Sequence, residues 1–202
     1  MPAVGHTLAR AVYRPLAEQL AAAAAIRAGE RVLELSAGDG ELTPHLLAAA
    51  GASPVVMITP AGTLASADRT FDIAVSLLAI DADPTMRPAL DELARVAHRA
   101  RVVVWAGGAT HENALRDALL APAATSPPVR PPPGWTQTTL ADVARFDGIT
   151  QLWLALVGER GVEMVPPREH AVRERLQERV ARFTAADGTM RIPVRATLLS
   201  LR

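Results

Sequence analysis

Arg31-Val32-Leu33-Glu34-Leu35-Ser36-Ala37-Gly38-Asp39-Gly40-Glu41 is an apolar run that breaks into a small, glycine-rich turn, and a helical pattern begins at Leu42. That order predicts a strand, a tight loop and a helix start. In this arrangement backbone N–H groups and a helix N-terminus meet a polar or anionic ligand. Gly38 and Gly40 lack a Cβ, so the turn can take positive φ and a ligand can approach the backbone. The same turn also serves α/β domains that only need to redirect the chain, and taken alone it leaves both readings open.

On the N-terminal side, Leu8, Val12, Leu16, Leu20 and Ile26 recur at helical spacing through an alanine-rich stretch. This predicts a helix over 8–26, kinked or split at Pro15 and ended by Gly29. On the C-terminal side, a helix over 42–50 tolerates Pro44 in its first turn and is capped by Gly51. Val55–Ile58 reads as a second strand. Phe71–Leu78 is nearly continuous in apolar residues, as expected of a strand buried on both faces of a parallel sheet. A helix is predicted from Pro88, with Asp91 and Glu92 in its first turn, to about His98, followed by a strand from Arg101 to Trp105. Strands alternating with helices in this way mean an α/β, doubly wound sheet.

Beyond Trp105 the rhythm changes. Residues 111–120 look helical, and 121–134 holds six prolines, which excludes helix and central strand. This stretch is a semi-rigid connector or a lid. A β-like pattern resumes from Trp135 to Phe146, with helices over 148–157 and 168–183, a turn at Asp187-Gly188 and a final strand from Met190 to about Leu201. In that strand Met190, Ile192 and Val194 alternate inward.

Composition narrows the function. The chain has 202 residues, half of them hydrophobic, which suits one domain with a sizeable core. Zero net charge and 3% aromatics argue against a nucleic-acid surface. There is no cysteine, so disulfides and thiolate chemistry are excluded, and no lysine, so Schiff-base chemistry is too. No apolar run approaches the roughly 20 residues of a membrane span. A soluble, cytoplasmic protein without a membrane partner is expected.

The chain resembles the class I S-adenosylmethionine-dependent methyltransferases, in particular the small type-11, ubiquinone-methylase-like group. Tyr13-Arg14-Pro15-Leu16-Ala17-Glu18, leading into Gly29 through Leu35, is similar to that family's N-terminal helix and first motif. Phe71–Ser76 is similar to its fourth strand, Leu90–Val96 with Arg101–Trp105 to its next helix and strand, and Phe183–Pro193 to its C-terminal hairpin. The resemblance implies one Rossmann-like methyltransferase domain over 1–202 with a mostly parallel sheet and a C-terminal antiparallel hairpin. Residues 1–28 would be an N-terminal helical segment, 121–134 the proline-rich connector, and 147–185 a helical insertion before the last strand. It also implies an S-adenosylmethionine site made by Tyr13, Glu34, Ser36, Gly38, Gly40, Met57 and Leu78.

Departures from the family pattern bear on function. Ser36 stands where the motif has its first glycine. Met57 stands where the family places the carboxylate that accepts both ribose hydroxyls. The interval from Thr59 to Thr70 is too short for the family's third strand, its adjacent helix and the Asp that reads the adenine amino group, and Asp68 falls too late to replace it. Cofactor binding is therefore expected to be impaired, and the second strand becomes a sheet edge at 55–58 that invites a second copy or a protein partner. Glu34, Asp39, Asp81, Asp83 and His111 fall near strand C-terminal ends, where open α/β sheets hold ligands. Each can equally shape its own loop, so no catalytic residue is assigned. No histidine pair has metal-ligand spacing. Three readings follow: a degenerate methyltransferase-like binding or partner subunit, an active methyltransferase with atypical cofactor contacts and a small-molecule acceptor, or a repurposed enzyme of the cyclase or isomerase type.

Overall fold

A computed structural model describes residues 9–36, 40–51, 53, 55–58, 64–80, 86–105, 130–156 and 166–202. The first element is a π-helical turn, Ala9–Tyr13, which passes into helix α1, Arg14–Ala24. Pro15 sits in the first turn of α1, where its missing N–H costs nothing, so the predicted split falls just before it. Strand β1 (Val32–Ser36), helix α2 (Thr43–Ala50) and strand β2 (Val55–Ile58) follow, then β3 (Phe71–Leu77), α3 (Met86–Val96) and β4 (Ala97–Trp105). The remaining elements are β5 (Trp135–Phe146), α4 (Ile149–Leu156), α5 (Pro166–Val180) with a 3-10 turn at Ala181–Phe183, and β6 (Met190–Leu201).

The six strands form one sheet in the order β2-β1-β3-β4-β6-β5. The first four are parallel, while β6 runs antiparallel to both β4 and β5. Apolar residues alternate between the two faces. Val32, Ile73, Val75, Val103 and Ala196 face a core closed by α1, α2, α4 and α5. Leu33, Leu35, Ala74, Val102 and Val104 face a second core closed by Leu90 and Leu93 of α3. Asp72 breaks the apolar run of β3 at its exposed start, where it accepts from the Arg31 backbone N–H and pairs with the Arg31 guanidinium.

Twelve residues separate β2 from β3, and residues 64–70 carry bends and a turn rather than helix or strand. The shortened interval therefore leaves β2 at the edge of the sheet, as the sequence predicts. Arg95 of α3 holds the described part of this crossover. Its guanidinium donates to the carbonyls of Leu64 and Ser66 and to the carboxylates of Asp68 and Glu92. Glu92 in turn accepts the Leu64 backbone N–H.

Beyond shifts of one to three residues elsewhere, four boundaries differ from the sequence reading. Helix α1 ends at Ala25, which takes the left-handed conformation (φ 46°), not at Gly29. The stop comes from outside the helix. Arg99 and Arg101 of β4 donate to the C-terminal carbonyls of Ala24 and Ala23, satisfying orphan acceptors and placing positive charge against the helix dipole. Gly29, with φ 94°, serves α2 instead, its N–H donating to the Ala50 carbonyl. Helix α3 begins at Met86, so Pro88 is its third residue and Asp91 and Glu92 lie in its second turn. It ends at Val96 rather than His98, and β4 opens at Ala97 rather than Arg101, because Phe71 and Ile73 of β3 supply ladder partners to Ala97 and Arg99. The readings placed on 1–8, 37–39, 59–63, 81–85, 106–129 and 157–165 lie outside the described residues.

Candidate functional site

The C-terminal ends of β1, β3 and β4 form a rim at which Ser36 stands opposite Leu77, and Leu77 opposite Val103. Behind the rim, Glu34 occupies the middle of β1 between Met57 of β2 and Val75 of β3. It is only 1% exposed. Burial raises its carboxyl above the ordinary range, partly offset by the Thr43 hydroxyl, which donates to Oε2 at 2.9 Å. Thr43 is the first residue of α2, so one hydrogen bond ties the strand to the helix across the glycine turn. Gly40 precedes that helix with φ 69°, and open space surrounds the position a Cβ would take. Its requirement is therefore conformational. No side chain caps the α2 N-terminus at Leu42.

Tyr13 is buried beside Val12 and Leu16 in the core on the α1 face. Arg14, next in sequence, donates to Glu41 at 3.0 Å, which fastens the start of α1 to the glycine turn. The structure thus brings Tyr13, Glu34 and Gly40 into one region. Ser36 and Met57 have the strand positions expected of them, and Gly38 and Asp39 lie outside the described residues. Leu78 is buried in the left-handed conformation (φ 55°), and its N–H donates to the Val103 carbonyl at 2.8 Å. A non-glycine residue held there stores strain at the end of a central strand, a feature that clusters at functional sites.

Two polar groups at this rim are not singled out by the sequence reading. The Ser76 Oγ and Trp105 Nε1 are buried without a hydrogen-bond partner. They lie near the C-terminal ends of β3 and β4 on opposite faces, Ser76 alongside Leu35 and Val102, and Trp105 within the core on the α1 face. Such orphans are rare in folded proteins. The one signal in the sequence was a serine inside the apolar run of β3.

A separate groove of about 900 Å³ lies between α4, the end of α5 and the start of β6. Its walls include Gly148, Gln151 and Leu154 around α4, Gln177 and Val180 of α5, and Met190 of β6. None of the sequence-predicted site residues lines it. Among the described residues no group of three or more His, Asp or Glu side chains could hold a metal ion, and no helix is long and apolar enough to cross a membrane.

No protein-family model matches the chain. No curated protein matches it in sequence. Solved structures do share its fold. A proposed methyltransferase from Bacillus halodurans C-125 is 13% identical with a TM-score of 0.55, over 91% of this chain and 96% of that one. The YcgJ protein of Bacillus subtilis is 17% identical with a TM-score of 0.53, over 92% and 97%. A cyclopropane-fatty-acyl-phospholipid synthase-like protein from Lactobacillus casei is 16% identical with a TM-score of 0.50, over 94% and 91%. At these identities the likeness is one of fold, and the fold is the Rossmann-like α/β architecture of the class I methyltransferases.

Proposed function

We propose that this protein is a methyltransferase-like protein of the type-11 kind whose grip on S-adenosylmethionine is weakened, and that it acts as a binding or partner subunit. The observation that carries this reading is the β2 edge. Met57 lies directly beside Glu34, and the chain returns to β3 after twelve residues through a crossover pinned to α3, with no further strand among its described residues 64–70. Hydrogen bonds to a charged acceptor contribute roughly 1.5–3 kcal/mol each, so losing the ribose pair and an adenine contact removes ~3–6 kcal/mol. At about 1.4 kcal/mol per tenfold change, a micromolar site becomes roughly millimolar.

The site residues in this reading are Tyr13, Glu34, Ser36, Gly38, Gly40, Met57 and Leu78, with no catalytic residue assigned. The free edge of β2 is where a second copy or another protein would add. A second reading, an active methyltransferase with atypical cofactor contacts, draws support from the Glu34–Thr43 hydrogen bond and the Gly40 turn.

Calorimetric titration with S-adenosylmethionine and S-adenosylhomocysteine separates the two. Absence of binding below millimolar ligand is the expected result. Micromolar binding overturns the weakened-site reading in favour of an enzyme with a rebuilt adenine pocket.

A further inference from the structure

Strand β6 leaves the body of the sheet after its pairing with Trp105 of β4 ends at Ala196. From Arg195 back to Met190 its only strand partner among the described residues is β5. Along this ribbon burial alternates strictly. Met190, Ile192 and Val194, with Ala144 and Phe146 opposite, face the core. Arg191, Pro193 and Arg195, with Ala141, Val143 and Arg145 opposite, face solvent.

The register on the solvent face is unusual. Arg145 pairs directly with Arg191, Val143 with Pro193, and Ala141 with Arg195. Directly opposed residues hold their Cβ atoms about 5 Å apart, and like charges so placed destabilise a ladder. None of the three arginines forms a salt bridge among the described residues. The nearby Asp187 is held below the usual carboxylate range by the Thr189 hydroxyl and backbone N–H, and last by the charge of Arg191. That carboxylate is already engaged by Thr189 through 2.7 and 2.9 Å hydrogen bonds.

We infer that this ribbon face docks an acidic protein segment, whose carboxylates bridge Arg145, Arg191 and Arg195 while an apolar side chain seats on Val143 and Pro193. Charge complementarity sets the sign of the partner. Its class follows from the apolar centre: Val143 is 42% exposed between the arginine rows, where a phosphate backbone would gain nothing. Single-stranded nucleic acids also need exposed aromatic platforms, and the aromatic of this face, Trp135, is buried. The inference is independent of whether S-adenosylmethionine binds.

The test uses the full chain and a fluorescein-labelled, blocked peptide of six glutamates around a central Leu-Val pair, followed by anisotropy. Binding is expected in 50 mM salt, weakening at least tenfold in 300 mM salt and by a similar factor in R145E and R191E. Replacing Leu-Val by Ser-Ser in the peptide should weaken it further. A mixed-sequence single-stranded oligonucleotide that binds more tightly than the peptide overturns the assignment to a protein partner. Absence of peptide binding in 50 mM salt, or equal binding by the variants, overturns the site itself. Relief of the opposed charges gives a second readout in the unliganded protein. Arg191→Thr should raise the melting temperature by about 1–4 °C; an unchanged or lower value overturns the claim that the face is held open against its own repulsion.

Discussion

Glu34 carries its own pH signature. Burial raises its folded-state pKa above the ordinary 4.5. Below that value the carboxyl is protonated in both folded and unfolded chains, and its burial carries no charge penalty. As pH rises past it, the unfolded chain releases the proton first, so stability falls until the folded carboxyl also ionises. Glu34→Gln keeps an acceptor for Thr43 but cannot ionise. The advantage of the variant over the natural chain should therefore grow from pH 4.5 to pH 8 in thermal melts; a constant difference would mean that Glu34 titrates normally. Ser76 offers a simpler test. Its hydroxyl is buried without a partner, and such burial costs about 1–3 kcal/mol. Ser76→Ala should stabilise the fold by ~1 kcal/mol in urea denaturation, and a loss of stability would reveal a hydrogen-bond partner.

At the scale of elements, two arginines of β4 determine where α1 stops. Arg99 donates to the Ala24 carbonyl and to Glu30, so Arg99→Met removes a donor from the Ala24 carbonyl and leaves the Glu30 carboxylate with the Arg27 backbone N–H but without its charged partner. A loss of ~1.5–3 kcal/mol is expected in urea denaturation, and an unchanged midpoint would show that the helix end needs no partner from the sheet. Arg95 does similar work for the crossover before β3. Its truncation to alanine should speed tryptic cleavage at Arg69 while leaving cleavage within β5 and β6 unchanged; equal rates would mean that the crossover holds itself. These contacts also explain what the sequence could disclose. Strands β2 and β5 were legible to the residue, because each is an apolar or β-branched run between turn signals. The end of α1 was not, since alanine gives no stop signal and the stop comes from residues about seventy-five positions away. The start of β4 was missed for a related reason: Ala97–Ala100 has no strand pattern of its own and is recruited by β3. At the site, the strand position of Met57 and the short interval between β2 and β3 were readable from motif spacing. The orphaned Trp105 was not, because satisfaction of a buried indole depends on neighbours that no local pattern reports.

For the molecule as a whole, the sheet has one short apolar edge at β2 and one long polar edge at β5. Val56 is 40% exposed on β2, and Val55–Ile58 itself contains no charge or proline of the kind that discourages edge pairing. The partner-bound reading therefore predicts a dimer in light scattering at high micromolar concentration, reduced to monomer by Val56→Lys. A monomeric mass for the natural chain would count against β2 as the contact. The strand order has a kinetic consequence as well. Strand β6 follows the other described strands along the sequence, yet it lies inside the sheet, joining residues about a hundred positions apart at Ala100 and Leu201. During synthesis β4 and β5 cannot meet each other correctly until residues 190–201 arrive to lie between them. The nascent protein thus passes through a half-sheet whose β4 flank stays open until the last strand slides home, and its yield in the cell will depend on what shields that flank until then.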